Sequence, residues 1–215
     1  MDISYFGQSC FKIKGKSASV VIDPFTPEMI GLKLPKDLSA DIVLQSHDHG
    51  DHNNAAGVLN NQMVFTNPGE YEVGGVVMTG INSFHDDTQG QERGVNTIYH
   101  ILIDGLNIVH LGDLGQAKLT EEQITEIGEV DILLIPVGGV YTIDSKGAVG
   151  IVAQLEPKII IPMHYLLPGL KVDLESVDNF LKEIGTEHVV EEQKLSITKD
   201  KLPEEPQVIL LAKSS

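Results

Sequence analysis

Three histidines and two aspartates fall between His47 and His52, shortly after the apolar run Ile42 to Leu44. Neutral imidazole nitrogens and carboxylate oxygens are the donors that divalent ions such as zinc and manganese accept in proteins. The order His-x-His-x-Asp-His puts four donors on one short loop, and Gly50 makes a bend within that loop easier. The pattern therefore predicts a metal centre, whereas a solvated polar turn is the ordinary alternative.

Later in the chain, His85, Asp113 and His164 each follow an apolar run that predicts a strand. Each residue alone has a commoner explanation, as a structural hydrogen-bond donor or as a turn residue. Side chains at the ends of different strands converge on one cleft when a rigid sheet positions them. Their occurrence together with the histidine-rich loop favours a single site.

Five motifs of the chain resemble the metallo-β-lactamase superfamily, and specifically its small metal-dependent hydrolases related to ascorbate phosphate lactonase. In chain order they are SHDHGDH (46–52), NSFHDD (82–87), VHLGDLG (109–115), DILLIPVGG (131–139) and IPMHY (161–165). The resemblance covers nearly the whole chain and implies two divalent metal ions, with zinc as the first candidate and manganese as the second. The implied ligands are His47, His49 and His85 for one ion, Asp51, His52 and His164 for the other, and Asp113 as a bridge between them.

The chemistry implied by this resemblance is hydrolysis of a small lactone, ester or phosphoester. The pKa of a water bound between two cations falls from about 15.7 to near 7, so that hydroxide would be the nucleophile at neutral pH. Asp51 and Asp113 are the candidate catalytic residues. Asp113 has two oxygens to share between the ions, and Asp51 would orient the water or accept its proton. Neither Ser9 nor Cys10 has a sequence context that supports a side-chain nucleophile.

Residues around the predicted ligands have two explanations each. Asp86 or Asp87 could accept the second ring N–H of a ligand histidine, or both could face water. Asp23 could orient the metal loop, or it could be an ordinary turn former before Pro24. Three histidines are left out of the ligand set: His100, His110 and His188. Of these, a supporting role is open only for His110.

Two candidate substrate contacts lie outside the predicted ligand set. The segment 138–142 could offer backbone N–H groups and the Tyr141 hydroxyl to a developing oxyanion, or it could form a tight turn with a packed aromatic ring. Arg93 could bind a carboxylate or phosphate of the substrate, or it could lie on the surface. The sequence leaves both alternatives open.

The elements that position these residues are predicted to be many short strands and a few helices. Strands are predicted at residues 3–6, 9–13, 18–22, 42–44, 63–66, 71–73, 76–81, 97–103, 106–111, 131–137, 158–161, 189–191, 195–198 and 208–211. Helices are predicted at 55–60, 120–127, 147–155 and 174–184, and Asp104-Gly105 predicts a tight hairpin turn. Periodicity alone indicates mixed α and β structure. The resemblance specifies an α/β (α+β) fold, a four-layer αβ/βα sandwich with two sheets inside and helices outside.

The bulk properties of the 215 residues fit one domain spanning 1–215, because no linker-like stretch divides them. The single Cys10 cannot form an internal disulfide and the first residues lack a secretory signal, so we expect the protein to reside in a reducing cytoplasm. No apolar run reaches the length needed to cross a bilayer. The sequence leaves a homo-oligomer open.

The net negative charge disfavours some classes of function. A net charge of −16, from 31 acidic and 15 basic residues, repels nucleic-acid backbones and anionic membranes. This disfavours a nuclease of the same superfamily, so we expect a small-molecule substrate. Two divalent ions add local positive charge, so the sequence leaves an anionic substrate open. A non-catalytic metal-binding protein is the other alternative, and the complete ligand set argues against it. A di-iron relative is disfavoured because His49 stands where such proteins generally carry a carboxylate.

Overall fold

The structure, a computed structural model, describes residues 1–186 and 189–214, so His188 lies outside the described residues. The strands are β1 (Asp2–Gly7), β2 (Cys10–Lys14), β3 (Ser19–Ile22), β4 (Ile42–Leu44), β5 (Met63–Phe65), β6 (Gly69–Val73), β7 (Val76–Phe84), β8 (Val95–Ile103), β9 (Leu106–His110), β10 (Ile132–Pro136), β11 (Ile159–Met163), β12 (Glu191–Glu192), β13 (Leu195–Ser196), β14 (Gln207–Val208) and β15 (Leu210–Leu211). The helices are α1 (Pro27–Ile30), α2 (Glu121–Ile127), α3 (Ser145–Leu155) and α4 (Val177–Glu183).

Two large sheets form the inside of the molecule. The first has the strand order β13-β1-β2-β3-β4-β5, and the second has the order β14-β11-β10-β9-β8-β7-β6. Strand alternation sorts the side chains of the first sheet into two layers. Val20 and Ile22 of β3 belong to the large core that also contains Ile98 of the second sheet, whereas Val21 between them faces a smaller cluster on the outer side. The two sheets therefore pack face to face, as the predicted sandwich requires.

Helices cover the outer face of the second sheet. Strands β10 and β11 are buried at every position, which is typical of parallel strands covered on both faces. Helix α2 begins with a capping box between Thr120 and Gln123. Helix α3 begins at the N-cap Asp144 and buries Ile151 and Leu155. Within the described residues, no helix combines the length and apolar character that a membrane crossing demands.

The outer face of the first sheet has a thinner cover than the predicted sandwich. Helix α1 has only four residues, and it packs with Leu32, Leu38 and Ala40 of the following loop against Val43 of β4. Helix α1 was not predicted, because one turn that begins at a proline shows no helical periodicity. The fold class is confirmed, with a short helix and a loop in place of a full helical layer on this side.

Most predicted elements occur with shifted ends. Asp104 and Gly105 have φ angles of 52° and 79°, so the predicted tight turn between β8 and β9 is confirmed. The helix predicted at 55–60 is a single 3₁₀ turn at Ala55–Gly57. The helix predicted at 174–184 begins only at Val177, because Ser176 caps it by accepting a hydrogen bond from the Asp178 N–H.

Candidate metal centre

All seven predicted ligands come together at one end of the two sheets. The loop after β4 carries four of them, and the others lie one to three positions after the ends of β7, β9 and β11. Strands β7, β9 and β11 run in the same direction. Both β7 and β9 pair antiparallel with β8, so they are parallel to each other. Strand β10 pairs parallel with β9 on one side and with β11 on the other. Their carboxyl ends therefore meet at one edge of the sheet. We call these seven residues the cage: His47, His49, Asp51, His52, His85, Asp113 and His164.

Asp113 lies at the centre of the cage. Its Oδ2 atom is 3.1 Å from Nε2 of His52 and 3.2 Å from Nε2 of His164. The same oxygen is 3.4 Å from Nε2 of His85 and 4.0 Å from Nε2 of His47. One carboxylate oxygen thus faces imidazoles from both sheets, which is the arrangement expected of a group shared between two cations.

The ligand atoms separate into two groups that match the predicted division. His47, His49 and His85 form one group, and Asp51, His52, Asp113 and His164 form the other, with the ligand atoms of each group within 4.8 Å of one another. Three or four nitrogen and oxygen donors at such spacing suit zinc. Nε2 of His47 and Nε2 of His52 are buried and make no hydrogen bond. Buried imidazole nitrogens that point into a common space without a partner fit a bound cation.

Asp23 supports two histidines of the cage, so the predicted orienting role has a clear geometry. Its Oδ2 lies 2.9 Å from Nδ1 of His52 and 2.7 Å from the Ser46 hydroxyl, which in turn lies 2.9 Å from Nδ1 of His47. A carboxylate only accepts, so Ser46 donates its proton to Asp23 and must accept from His47. Both Nδ1 atoms are therefore protonated, and this tautomer leaves the Nε2 lone pairs available to a metal.

The charges of the cage favour a cation. Burial lowers the pKa of His47 to about 3, so this imidazole is neutral at pH 7, the form that binds a metal. Burial alone would also lower the pKa of His52, but the carboxylates of Asp113, Asp51 and Asp23 outweigh it and raise that pKa well above its ordinary value. Three carboxylates around one ring thus attract positive charge.

Asp113 is fixed by Asn96 and Ser9, two contacts that the sequence analysis missed. Its N–H donates to Oδ1 of Asn96 at 2.9 Å, and its Oδ1 accepts from the Ser9 hydroxyl at 3.3 Å. His110 accepts from the Gly112 N–H at Nδ1 and donates from Nε2 to the Ser9 carbonyl oxygen at 2.9 Å. His110 therefore has the supporting role that the sequence left open, and it lies outside the ligand set.

Gln8 is a further residue that sequence reasoning missed. Its Nε2 donates to Oδ2 of Asp51 at 2.9 Å, and its carbonyl oxygen accepts from the His164 N–H at 2.8 Å. Gln8 adopts a left-handed backbone, with φ 53°, in the turn between β1 and β2. The Gly7-Gln8 pair is a turn signal in the sequence, but no local pattern indicates contact with residues 43 and 156 positions away.

The expected support of the His85 ring by a neighbouring aspartate is wrong. Asp86 does not contact a ring nitrogen of His85, whose Nδ1 has no hydrogen-bond partner among the described residues. Asp86 instead accepts five hydrogen bonds from the loop that follows it, at Thr88, Gly90, Glu92 and Arg93. Asp87 is exposed, as the alternative expectation held.

The segment 138–142 forms a turn. The Val140 N–H donates to the Gly138 carbonyl oxygen, and the Thr142 N–H donates to the Gly139 carbonyl oxygen, so the turn itself uses these donors. Tyr141 is partly exposed, at 39%, and its ring lines the cavity described next. The backbone of this segment therefore forms the expected turn, whereas the Tyr141 ring is not packed in the core.

A cavity of about 510 Å³ opens onto the cage. Five of its lining residues belong to the cage, and an apolar side is formed by Met29, Ile30 and Val172. Tyr141 and Arg93 complete the rim together with the exposed Asp48. Pockets for small ligands have volumes of this order.

Comparisons with known proteins agree with this geometry. Residues 2–164 match the family described as the beta-lactamase superfamily domain. A metal-dependent hydrolase of Thermococcus onnurineus is 31% identical over 209 residues, covering 85% of this chain and 92% of the relative. The crystal structure of a Thermotoga maritima protein assigned as a Zn-dependent hydrolase of the metallo-beta-lactamase superfamily aligns with a TM-score of 0.79 and 36% identity, covering 98% of this chain and 97% of that one. An isothiocyanate hydrolase from Delia radicum gut bacteria shares the fold, with a TM-score of 0.66 at 14% identity over 100% of this chain and 97% of its own.

Proposed function

The chain belongs to the metallo-β-lactamase superfamily and is a metal-dependent hydrolase, and we propose that it cleaves a small lactone, ester or phosphoester with two divalent ions held by the cage. Zinc is the first candidate and manganese the second, because both accept imidazole and carboxylate donors. His47, His49 and His85 would hold one ion, and Asp51, His52 and His164 would hold the other. Asp113 would bridge them.

The position of Asp113 Oδ2 is the observation that carries this proposal. Four imidazole nitrogens lie 3.1–4.0 Å from that oxygen. Burial acts to raise the pKa of Asp113, but His164 and His52 hold it well below the ordinary value, so the carboxylate is charged at neutral pH. When bound, two divalent ions would supply hydroxide at neutral pH, because they lower the pKa of water from about 15.7 towards 7.

Asp51 would orient the attacking water rather than store its proton. Burial acts to raise the pKa of Asp51, yet His52 holds it below its usual range, so the group is a weak base. Gln8 donates to Oδ2 of Asp51 and fixes the carboxylate at the floor of the cavity. An ionised, fixed carboxylate can accept a hydrogen bond from water and aim it at a substrate in the cavity.

The experiment measures metal content and hydrolysis in the same preparations. We expect wild-type protein loaded with zinc or manganese to bind two equivalents per chain by mass spectrometry and to hydrolyse members of a panel of lactones, esters and phosphoesters. Asp113→Ala and His47→Ala should bind fewer ions and lose more than about 100-fold in kcat/KM, since loss of a ligand costs at least as much as loss of its supporting residue.

His100→Ala is the matched control, because His100 lies in β8 with its Nε2 3.1 Å from Oδ1 of Asn107, outside the cage. It should keep both ions and wild-type hydrolysis. The proposal fails if the wild type with two ions is inert towards the whole panel, or if His100→Ala loses as much metal as His47→Ala.

A further inference from the structure

The only arginine of the chain stands at the rim of the cavity above the cage. The other 14 of its 15 basic residues are lysines. Arg93 lines the cavity of about 510 Å³ together with His85 and Asp113. It also lines an adjoining smaller cavity with Tyr141 and Thr142. A planar guanidinium offers a fork of donors that matches the two oxygens of a carboxylate, which an ammonium group does not.

The backbone of Arg93 is fixed relative to the cage. Its N–H donates to Oδ2 of Asp86 at 2.7 Å, and the next residue, Gly94, accepts at its carbonyl oxygen from the His85 N–H at 3.1 Å. The Arg93 guanidinium carbon lies 5.8 Å from the centre of the Tyr141 ring, within the range of a cation–π interaction. Asp86 thus fixes the backbone of Arg93, and the Tyr141 ring holds its charged guanidinium.

The charge of Arg93 has no carboxylate partner within 4.0 Å among residues 1–186 and 189–214, although the chain has 31 acidic residues. By contrast, Lys194 pairs with Asp2 and Lys199 pairs with Asp131. The Asp86 carboxylate, which is close in sequence, already accepts five hydrogen bonds from its own loop. The guanidinium is therefore available to a ligand in the cavity.

We propose that Arg93, stacked on Tyr141, binds a carboxylate of the substrate, so that the enzyme selects esters or lactones that carry a free carboxylate. This inference rests on the proposed function of the cage. A single guanidinium balances one negative charge, and the exposed Asp48, which is outside the cage, lines the same cavity and disfavours the second charge of a phosphate dianion. The apolar side formed by Met29, Ile30 and Val172 suits the hydrocarbon part of such a substrate.

The first test is a binding measurement that needs no turnover. Isothermal titration of the zinc-loaded protein with glutarate should give an affinity that Arg93→Gln weakens by about tenfold to a hundredfold, as expected for loss of a charged hydrogen-bonding pair. Arg93→Lys should recover part of this loss. Lys146→Gln removes one positive charge from an exposed position of α3 and should stay within twofold of wild type. The zinc ions also contribute to glutarate binding, but equally in all these variants. The ratio of the dissociation constants of variant and wild type therefore reports the contribution of the guanidinium alone.

Tyr141 is a positioning residue in this proposal, and the ring rather than the hydroxyl carries the effect. Tyr141→Ala should weaken glutarate binding severalfold because the guanidinium loses its stacking partner. Tyr141→Phe keeps the ring and should restore wild-type binding. If Tyr141 had only a structural role, Tyr141→Ala would lower the melting temperature, but the two variants would bind glutarate equally well.

The second test compares two esters with the same leaving group. The ratio of kcat/KM for mono-4-nitrophenyl glutarate to that for neutral 4-nitrophenyl butyrate should fall about tenfold in Arg93→Gln. If the zinc-loaded protein hydrolyses neither ester, ester cleavage by the cage is in doubt while the glutarate titration still decides the role of Arg93. Absence of glutarate binding in the wild type, or equal binding in wild type and Arg93→Gln, overturns the inference. Tighter, Arg93-dependent binding of phenyl phosphate overturns the choice of a carboxylate.

Discussion

Asp23 supports two histidines of the cage with both oxygens of its carboxylate. Oδ2 accepts from the His52 ring N–H and the Ser46 hydroxyl, and Oδ1 accepts from the Ser46 backbone N–H. An amide keeps one accepting oxygen and turns its NH₂ group either towards the Ser46 backbone N–H or towards the His52 ring and the Ser46 hydroxyl, so asparagine loses part of this support. We expect Asp23→Asn to weaken zinc binding by about 10- to 100-fold, the usual cost of losing a partner that orients a ligand histidine. Competition with a chromogenic chelator measures this affinity.

Asp41→Asn provides the control for that prediction. Asp41 also accepts hydrogen bonds from a backbone N–H and a hydroxyl, both of Ser19, but it lies outside the cage. Zinc affinity should not change in this variant. Equal affinities of Asp23→Asn and wild type would contradict the orienting role of Asp23.

The residues of the cage could be predicted from sequence, whereas most of their supports could not. The cluster between His47 and His52 is local, so its chemistry is visible in a single loop. Asn96 and Gln8 reach their partners across 17 and 43 positions, and their side chains are common in ordinary turns and strands. The position of Asp86 next to His85 suggests a ring contact, but its carboxylate accepts from backbone and hydroxyl donors of its own loop instead.

At the scale of elements, one aspartate organises the loop between β7 and β8. Asp86 accepts from four residues of that loop, and these hydrogen bonds lower the pKa of Asp86 although burial acts to raise it. We expect Asp86→Ala to increase hydrogen exchange at the amides of Thr88, Gly90 and Arg93. Peptide-resolved mass spectrometry measures this exchange. The exposed neighbour variant Asp87→Ala should leave exchange unchanged, and similar exchange in both variants would contradict the assignment.

Close packing between strand ends also positions the ligands. A Cβ atom added at Gly138, after β10, would overlap the carbonyl oxygen of His164, after β11. We expect Gly138→Ala to lower the free energy of unfolding by about 1–3 kcal/mol and to weaken zinc binding, because His164 must move. Denaturant unfolding and chelator competition measure the two effects.

Gly150→Ala is the matched control for that substitution. Gly150 lies within α3, and nothing lies within 4 Å of an added Cβ atom. Alanine should raise the free energy of unfolding by up to about 1 kcal/mol, since glycine is a poor helix former. A loss of stability in Gly150→Ala as large as that in Gly138→Ala would show that the overlap with His164 is not the cause.

At the scale of the whole molecule, metal should stabilise the fold because the cage draws ligands from both sheets. Binding of zinc at a free concentration 100 times its dissociation constant adds about 2.7 kcal/mol. For a chain of this size the melting temperature should rise by about 5–10 °C. Calorimetry before and after chelation measures the change. Asp113→Ala should show a smaller rise, and an equal rise in that variant would contradict the central position of Asp113.

Periodicity alone predicts mixed α and β structure. The two-sheet sandwich could also be predicted, because the motifs indicate which strand ends must meet. The alternation of Val20, Val21 and Ile22 shows one strand facing two layers, but it does not name the sheet on the other side. Helix α1 and the thin cover over Val43 could not be predicted, since they depend on how residues 31–40 pack against β4. Such contacts join segments whose sequences carry no shared pattern.

The origin of the cage in two separate sheets has an evolutionary consequence. The side chains between the sheets, such as Ile22, Leu44 and Ile98, fill the space that separates the two halves of the cage's scaffold. A change of one methyl group among these side chains would shift the two halves of the cage relative to each other without altering a single ligand. Remote core substitutions therefore offer descendants of this enzyme a gradual route to new substrates.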